Sequence, residues 1–257
     1  MQTIRSIDIF IDELVSKLDL PFAREDNKSH IKINFHTINL IVLIYLEAQA
    51  TRFSLPNSKT IHIDIDQLLS SSTKIIKRLY SLLGKGEVIY ARETIVARID
   101  KKASLDFQKE HHLQVALPGK YRYGLYLNGE LMSIAIFSGG RRMNEMPVDY
   151  RSYELLRFCH KAGYRVVGGL SKLIKSFQRD FKPGDIMTYV DRDWSQDSNL
   201  QTLGFIERGE IEPQSFWVSN TTRIHILSTE HLAKLQSEYP HGYITKNSGS
   251  KKLVITL

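Results

Sequence analysis

The chain has 257 residues, 42% of them hydrophobic and 25% charged, which is enough for one large domain or two modest ones and rules against a disordered chain. Its single cysteine, Cys159, excludes an internal disulfide framework and an all-cysteine zinc site. Thirty-five Lys and Arg against 28 Asp and Glu leave a net charge of +7, a balance that suits a polyanionic partner such as nucleic acid.

No run approaches the roughly 18 to 20 apolar residues of a membrane span. The longest apolar patch, Ile38 to Leu46, is interrupted by Asn39. The opening MQTIRSIDIF lacks the charged-then-apolar layout of a signal peptide, so a cytoplasmic location is expected. Basic residues are distributed along the chain, at Lys74, Lys77, Arg78, Lys85, Lys101, Lys102, Arg141, Arg142, Lys172, Lys175, Arg179, Lys251 and Lys252. Arg141, Arg142, Lys175 and Arg179 are the candidate nucleic-acid contacts among them; a solvated surface is the plain alternative.

In chain order, Ile7, Ile11, Leu14, Val15 and Leu18 recur at helical spacing, and Leu20-Pro21 ends that helix. Ile31 to Leu46 is rich in β-branched residues and predicts two strands that meet near Thr37. A connection follows, with Pro56-Asn57 as its turn. Residues 60–66 (TIHIDID) alternate as a half-buried strand does. Asp66 is placed to cap the next helix, whose buried face is Ile75, Ile76, Leu79, Leu82 and Leu83 and whose end is Gly84.

From Glu87 onward, VIYARETIVARI predicts strand and Ser104 to His112 a short helix. Two strands, Tyr123 to Leu127 and Leu131 to Phe137, flank Asn128-Gly129, the strongest short hairpin signal. Gly139 to Pro147 is a basic loop. Further strands are expected at Ile186 to Val190, Phe216 to Val218 and Arg223 to Leu227, with a helical turn ending at Leu203-Gly204-Phe205. Thr229 to Gln236 predicts a helix capped by Ser228 or Thr229, and Tyr243 to Leu257 a closing hairpin around residues 247–250.

The most informative stretch is Tyr153 to Phe181, an extended apolar segment and a loop before Val166-Val167-Gly168-Gly169 opens a helix. Leu170, Leu173, Ile174, Phe177 and Phe181 form one apolar face of that helix, and Lys172, Lys175 and Arg179 lie opposite. Paired glycines at a helix start bring a ligand close to backbone N–H groups that favour an anion. The plainer alternative is a tight strand-to-helix turn.

The ordered segments VIYARE, FQKEHHLQ, YGLYLNGEL, YELLRFC, VVGGLSKL, YVDRDWS, LGF, RIHIL and GYITKNSG resemble the GNAT-type acyltransferase fold. Within it they resemble the C-terminal domain of phage and mobile-element homing-endonuclease-like proteins, which is similar to the phage Mom DNA-modification protein. The resemblance covers about Val88 to Leu257. It implies an α/β fold with a GNAT-like mixed central sheet, residues 87–257, preceded by a small α/β domain, residues 1–86.

The resemblance further implies a splayed central strand pair that receives the pantetheine arm of acetyl-CoA or another acyl-CoA, with backbone partners at Leu156 to Cys159. Val167, Gly168, Gly169, Leu170, Ser171 and Lys172 would then cradle its phosphates. Asp191 and His112 are the expected polar centre for acid–base work on an amine acceptor, a nucleic-acid base or another amine. Asp191 as a turn cap and His112 as a surface residue are the structural alternatives. Leu200 stands where the family usually carries its proton-donating tyrosine.

The N-terminal part resembles a degenerate Vsr-like nuclease domain, with Leu43 where a strand carboxylate would help hold a metal. Glu47, Asp64 and Asp66 are its nearby acids. No metal site and no nuclease activity are expected. Two functions are expected: an acyl-CoA-dependent acyltransferase with DNA as its partner, or a non-catalytic DNA-binding protein of a mobile element.

Overall fold

An amphipathic run opens the chain: α1 (Gln2–Leu18) buries Ile7, Phe10, Ile11, Leu14 and Leu18 along one face. The computed structural model describes residues 2–46, 52–53, 58–194 and 200–257. The turn expected at Pro56-Asn57 and the acid Glu47 lie outside the described residues. Strands β1 (Ala23–Asp26), β2 (His30–Phe35), β3 (Leu40–Tyr45) and β4 (Lys59–Asp64) form a sheet in that order. The pair expected around Thr37 is β2 and β3, joined by a short 3-10 turn that ends on left-handed Asn39. All six residues of β3 are buried, as an inner strand with a parallel neighbour, β4, requires.

Helix α2 (Ile65–Leu82) starts at Ile65, before the expected cap Asp66. Asp66 therefore lies in its first turn, and its carboxylate pairs with Arg223 instead of capping the helix. Leu68, Ile75, Ile76 and Leu79 are buried, and Gly84 closes the end at φ +73°.

The stretch VIYARETIVARI is two strands in different sheets, not one. β5 (Glu87–Tyr90) and β6 (Ile95–Arg98) are separated by a 3-10 turn over Ala91–Glu93. β5 pairs in parallel with a later strand, β11 (Tyr164–Val167), and β6 joins the large sheet. Helix α3 (Lys101–His111) is capped by Asp100, whose side chain accepts from the Ala103 amide. Hairpin β7 (Tyr121–Leu127) and β8 (Glu130–Phe137) turns through Asn128 and Gly129, both at positive φ.

After β9 (Arg141–Arg142) come β10 (Arg151–His160), β11 (Tyr164–Val167), α4 (Gly169–Phe181) and β12 (Asp185–Asp191). The chain ends with β13 (Ile206–Ile211), β14 (Ser215–Ser219), β15 (Thr222–His225), α5 (Thr229–Glu238), β16 (Tyr243–Lys246) and β17 (Ser250–Thr256). Ser228 caps α5 by accepting from the His231 amide. The closing hairpin expected over residues 243–257 is not formed: β16 pairs with β14, whereas β17 lies between β13 and β12.

Two compact units result. One comprises Met1–Ser72, Val190–Ser198 and Glu210–Lys251, and the other Thr73–Tyr189, Asn199–Gly209 and Lys252–Leu257. Their division at residue 72 falls beside a kink in α2, where Ser71 leaves helical geometry.

The second unit carries the large sheet, ordered β13-β17-β12-β10-β8-β7-β6, with β9 on the flank of β10. Its core is aromatic. Phe177 of α4 stacks on Phe137 of β8 at 4.0 Å, and Tyr153 of β10 meets Phe177 edge-on at 5.0 Å. The fold is thus a mixed α/β one, with a central parallel strand pair, β10 and β12, connected through a glycine turn and α4.

Candidate cofactor site

Parallel strands normally stay in register along their common length, but β10 and β12 do not. They pair at Ser152↔Asp185, Tyr153↔Ile186 and Glu154↔Met187, and the ladder then stops although β10 continues to His160. On its other side β10 carries a bulge between Leu155 and Arg157 against β8, which sharpens its twist where the ladder ends. Beyond the last backbone pair the Thr188 hydroxyl donates to the Leu155 carbonyl at 2.9 Å. An early end to this ladder is what the splayed central pair implied by the resemblance requires.

Some of the backbone expected to face a pantetheine arm is already in use. Arg157 Nη1 donates to the Leu156 carbonyl at 2.7 Å, and its Nε and Nη2 donate to Val115 O. The Ser133 hydroxyl donates to the Cys159 carbonyl at 3.1 Å. Burial pushes the Cys159 thiol up to about 12, which makes it inert as a nucleophile.

The glycine turn has two different jobs. Gly168 caps α4 at φ +75°, a conformation that side-chain-bearing residues rarely adopt, and it is exposed. Gly169 is buried, and a Cβ there would lie 3.1 Å from both Leu125 Cδ1 and Val166 Cβ. Its lack of a side chain serves packing; only its amide is on offer to a ligand. The first intrahelical bond runs from the Lys172 amide to Gly168 O, so the helix provides no acceptor for the amides of Gly169, Leu170 and Ser171.

A shallow depression of about 360 Å³ follows the outer face of α4, lined by Gly168, Ser171, Lys172, Lys175, Ser176 and Arg179. Helix dipole and side-chain charge have the same sign there. Lys175 and Arg179 are exposed. The Lys172 ammonium, by contrast, is tied to the carbonyls of Ala91, at 2.7 Å, and Thr94. Val167 and Leu170 do not line the depression. The residues fit a phosphorylated cofactor: Gly168 leaves its approach open, the first-turn amides can donate to its phosphate oxygens, and Lys175 and Arg179 balance its charge.

His112 is the C-cap of α3, with Nδ1 accepting from the Gln114 amide at 3.1 Å. Burial and then the charges of Arg78 and Arg157 push it down to about 3, so it is neutral at physiological pH. A neutral imidazole so depressed is a weak base, and its strongest asset is a fixed N–H. Asp191 ends β12, and its Oδ1 accepts from the Asp193 amide at 2.9 Å. That is the turn-capping role anticipated as the alternative. Leu200 precedes the short 3-10 turn Gln201–Leu203, and the Phe205 amide donates to its carbonyl. Arg141 and Arg142 are exposed on β9, beside the first residues of β10.

In the first unit the acids near the expected nuclease position are buried and paired with arginine. Asp64 lies 2.8 Å from both Arg52 and Arg223, and Arg223 Nη1 also holds Asp66 at 3.1 Å. His62 bonds Tyr45 at 2.8 Å, and Arg52 lies over the Tyr45 ring at 4.2 Å. Asp193 Oδ1 accepts from the Ser248 amide at 3.1 Å and from the Ser248 hydroxyl at 2.5 Å. Two guanidinium groups therefore occupy the neighbourhood of these carboxylates. Sequence reasoning named Asp64 and Asp66 but missed Arg52, across the connection before β4, and Asp193 and Arg223, which are far from them in the chain.

No family model matches the chain, and no curated protein does. Solved structures do resemble it. The ribosomal-protein-S18-alanine N-acetyltransferase of Escherichia coli is 10% identical with a TM-score of 0.41, over 63% of this chain and 93% of that one. Arabidopsis thaliana Naa50, solved with a bisubstrate CoA analogue, is 9% identical with a TM-score of 0.39, over 64% and 99%. The acetyltransferase yncA of Salmonella typhimurium, solved with acetyl-CoA, is 12% identical with a TM-score of 0.38, over 64% and 94%. At TM-scores below 0.5 these likenesses add nothing to what the strand order and the glycine turn establish.

Proposed function

We propose that the chain is a GNAT-fold acyltransferase-like protein that binds an acyl-CoA-type cofactor and acylates an amine. The observation that carries this reading is the early end of the β10–β12 ladder, directly followed in the chain by a left-handed glycine and the uncapped amides of α4. A diverging parallel pair offers backbone edges to a thin polar arm, and the helix start offers dipole and N–H groups to its diphosphate. The acyl-CoA supplies the activated thioester; this chain's residues bind and orient it.

In this reading Gly168 and the amides of Gly169, Leu170 and Ser171 hold the diphosphate. Lys175 and Arg179 add charge, and Lys172 positions the neighbouring turn. Val167 and Leu170 contribute backbone only. His112, neutral with a fixed tautomer, orients the acceptor, and Asp191 takes the proton of the attacking amine. A DNA base as that amine, in the manner of the Mom-like resemblance, agrees with the net charge of +7 and with exposed Arg141, Arg142, Lys175 and Arg179. Residues 1–86 are read as nuclease-derived, their acids Asp64 and Asp66 now paired with arginine.

The second reading, a DNA-binding protein without catalysis, is favoured by Leu200 and by the arginine already on the Leu156 carbonyl. Thermal unfolding with acetyl-CoA separates the two, since a ligand of the folded state raises Tm by mass action. Wild type should be stabilised. Ser171→Glu, a substitution a helix's first turn tolerates, should lose that shift because it brings negative charge into the anion site. A wild-type protein unmoved by acetyl-CoA that binds duplex DNA with a steep salt dependence would favour the second reading.

A further inference from the structure

The two-stranded sheet of β5 and β11 has a buried face and an open one. Ile89 and Val166, opposite each other in register, are 7% and 3% exposed. Their neighbours Val88, Tyr90 and Val167 are 44%, 47% and 39% exposed and share the other face with exposed Arg165, which is paired with Val88. Tyr90 is paired with Val167, the residue before Gly168, so this apolar strip reaches the edge of the anion depression. Arg92 lies across the Tyr90 ring at 4.9 Å.

The turn that carries Tyr90 and Arg92 is held firmly. The Tyr90 amide donates to Glu93 Oε2 at 2.8 Å, and the Thr94 hydroxyl donates to the Ala91 carbonyl at 2.7 Å. Lys172, from the first turns of α4, donates to the carbonyls of Ala91 and Thr94. A Cβ on Gly168 would lie 3.5 Å from the Ala91 methyl. The turn that carries an exposed aromatic ring is thereby held beside Gly168, at one end of a cationic depression, an arrangement whose chemical complement is a flat heteroaromatic ring joined to phosphates.

We propose that Tyr90, backed by Arg92, is the platform on which the purine base of the cofactor's nucleotide stacks while its phosphates lie along α4. This rests on the acyl-CoA reading and extends it: Tyr90 becomes the residue that distinguishes a nucleotide-bearing acyl donor from a shorter pantetheine-based one. Val88 and Val167 form the apolar floor beside the ring, and Lys172 acts as a positioning residue that sets the ring's height.

Isothermal titration with acetyl-CoA and with 4′-phosphopantetheine, which lacks the nucleoside, tests it. Stacking of a base on an aromatic side chain contributes about 1–3 kcal/mol, so Tyr90→Ala should weaken acetyl-CoA binding by about 5- to 150-fold. It should leave 4′-phosphopantetheine binding within about twofold, and Tyr90→Phe should keep the wild-type preference for acetyl-CoA. If acetyl-CoA binds wild type and Tyr90→Ala equally, or if the variant loses both ligands in parallel, the platform is wrong while the acyl-CoA reading stands. If wild type binds neither ligand, that reading fails and the platform with it.

Discussion

The ammonium of Lys172 donates to the carbonyl of Ala91, 2.7 Å away and 81 residues earlier in the chain. A lysine that by sequence should meet a phosphate instead ties the turn before β6 to the start of α4. Charged hydrogen bonds of this kind contribute about 1.5–3 kcal/mol. Lys172→Met should therefore lower the urea midpoint of the second unit's unfolding by a corresponding amount. It should weaken acetyl-CoA less than Ser171→Glu does, and a larger loss of ligand than of stability would return Lys172 to direct phosphate contact.

Four histidines among the described residues, His62, His111, His112 and His160, are held below their ordinary pKa, with burial as the leading cause. His62 and His160 are pushed down to about 4 and His112 to about 3, in each case by burial first. Each folded value lies below the unfolded one near 6.5, so each contributes stability that is present above pH 6.5 and lost as pH falls toward the folded value. Imidazole NMR signals should show His112 unprotonated down to about pH 4, as the Nε2–H tautomer, because Nδ1 accepts from Gln114. A titration midpoint near 6.5 would contradict the burial described here.

Asp193 behaves in the opposite sense. Burial raises it to about 6 against the attraction of Arg52. Protonated Asp193 therefore favours the folded state, and this contribution is present below pH ~4 and lost as pH rises through ~6. Asp193→Asn, whose side-chain oxygen can still accept from Ser248, should remove that pH dependence. Urea midpoints of the variant and wild type compared between pH 4.5 and 7 check it: the variant should gain relative to wild type as pH rises.

Arg223 serves two carboxylates at once, Asp64 and Asp66. Arg223→Ala should destabilise the first unit by about 3–5 kcal/mol, because breaking a buried pair strands its partner charge. Arg223→Ala combined with Asp66→Asn should recover part of the loss. A double variant as unstable as the single one would assign the effect to packing of Arg223 over Phe216, 4.7 Å away.

Local signals carried most of the elements. Asn128-Gly129 fixed the hairpin, the heptad-like spacing of Leu173, Ile174 and Phe177 fixed α4's buried face, and Ser228 announced α5. The errors arose where partners are distant. Nothing local separates β5 from β6, since β5 takes its bonds from β11, 77 residues on at Glu87↔Tyr164. The same holds for β16 and β17, which local spacing joins into a hairpin but which belong to different sheets. At the site, the glycine pair was legible as a helix start. That Gly169 packs, that Lys172 clamps and that Tyr90 lies beside them depends on the β5–β11 pairing, which no short pattern encodes.

Amide chemical shifts during an acetyl-CoA titration test the central claim most directly. The account predicts saturable shifts that are largest at Gly168, Gly169, Leu170 and Ser171, with smaller ones at Lys175 and Tyr90. Saturable binding whose largest shifts lie elsewhere, or no binding at millimolar acetyl-CoA, would contradict it.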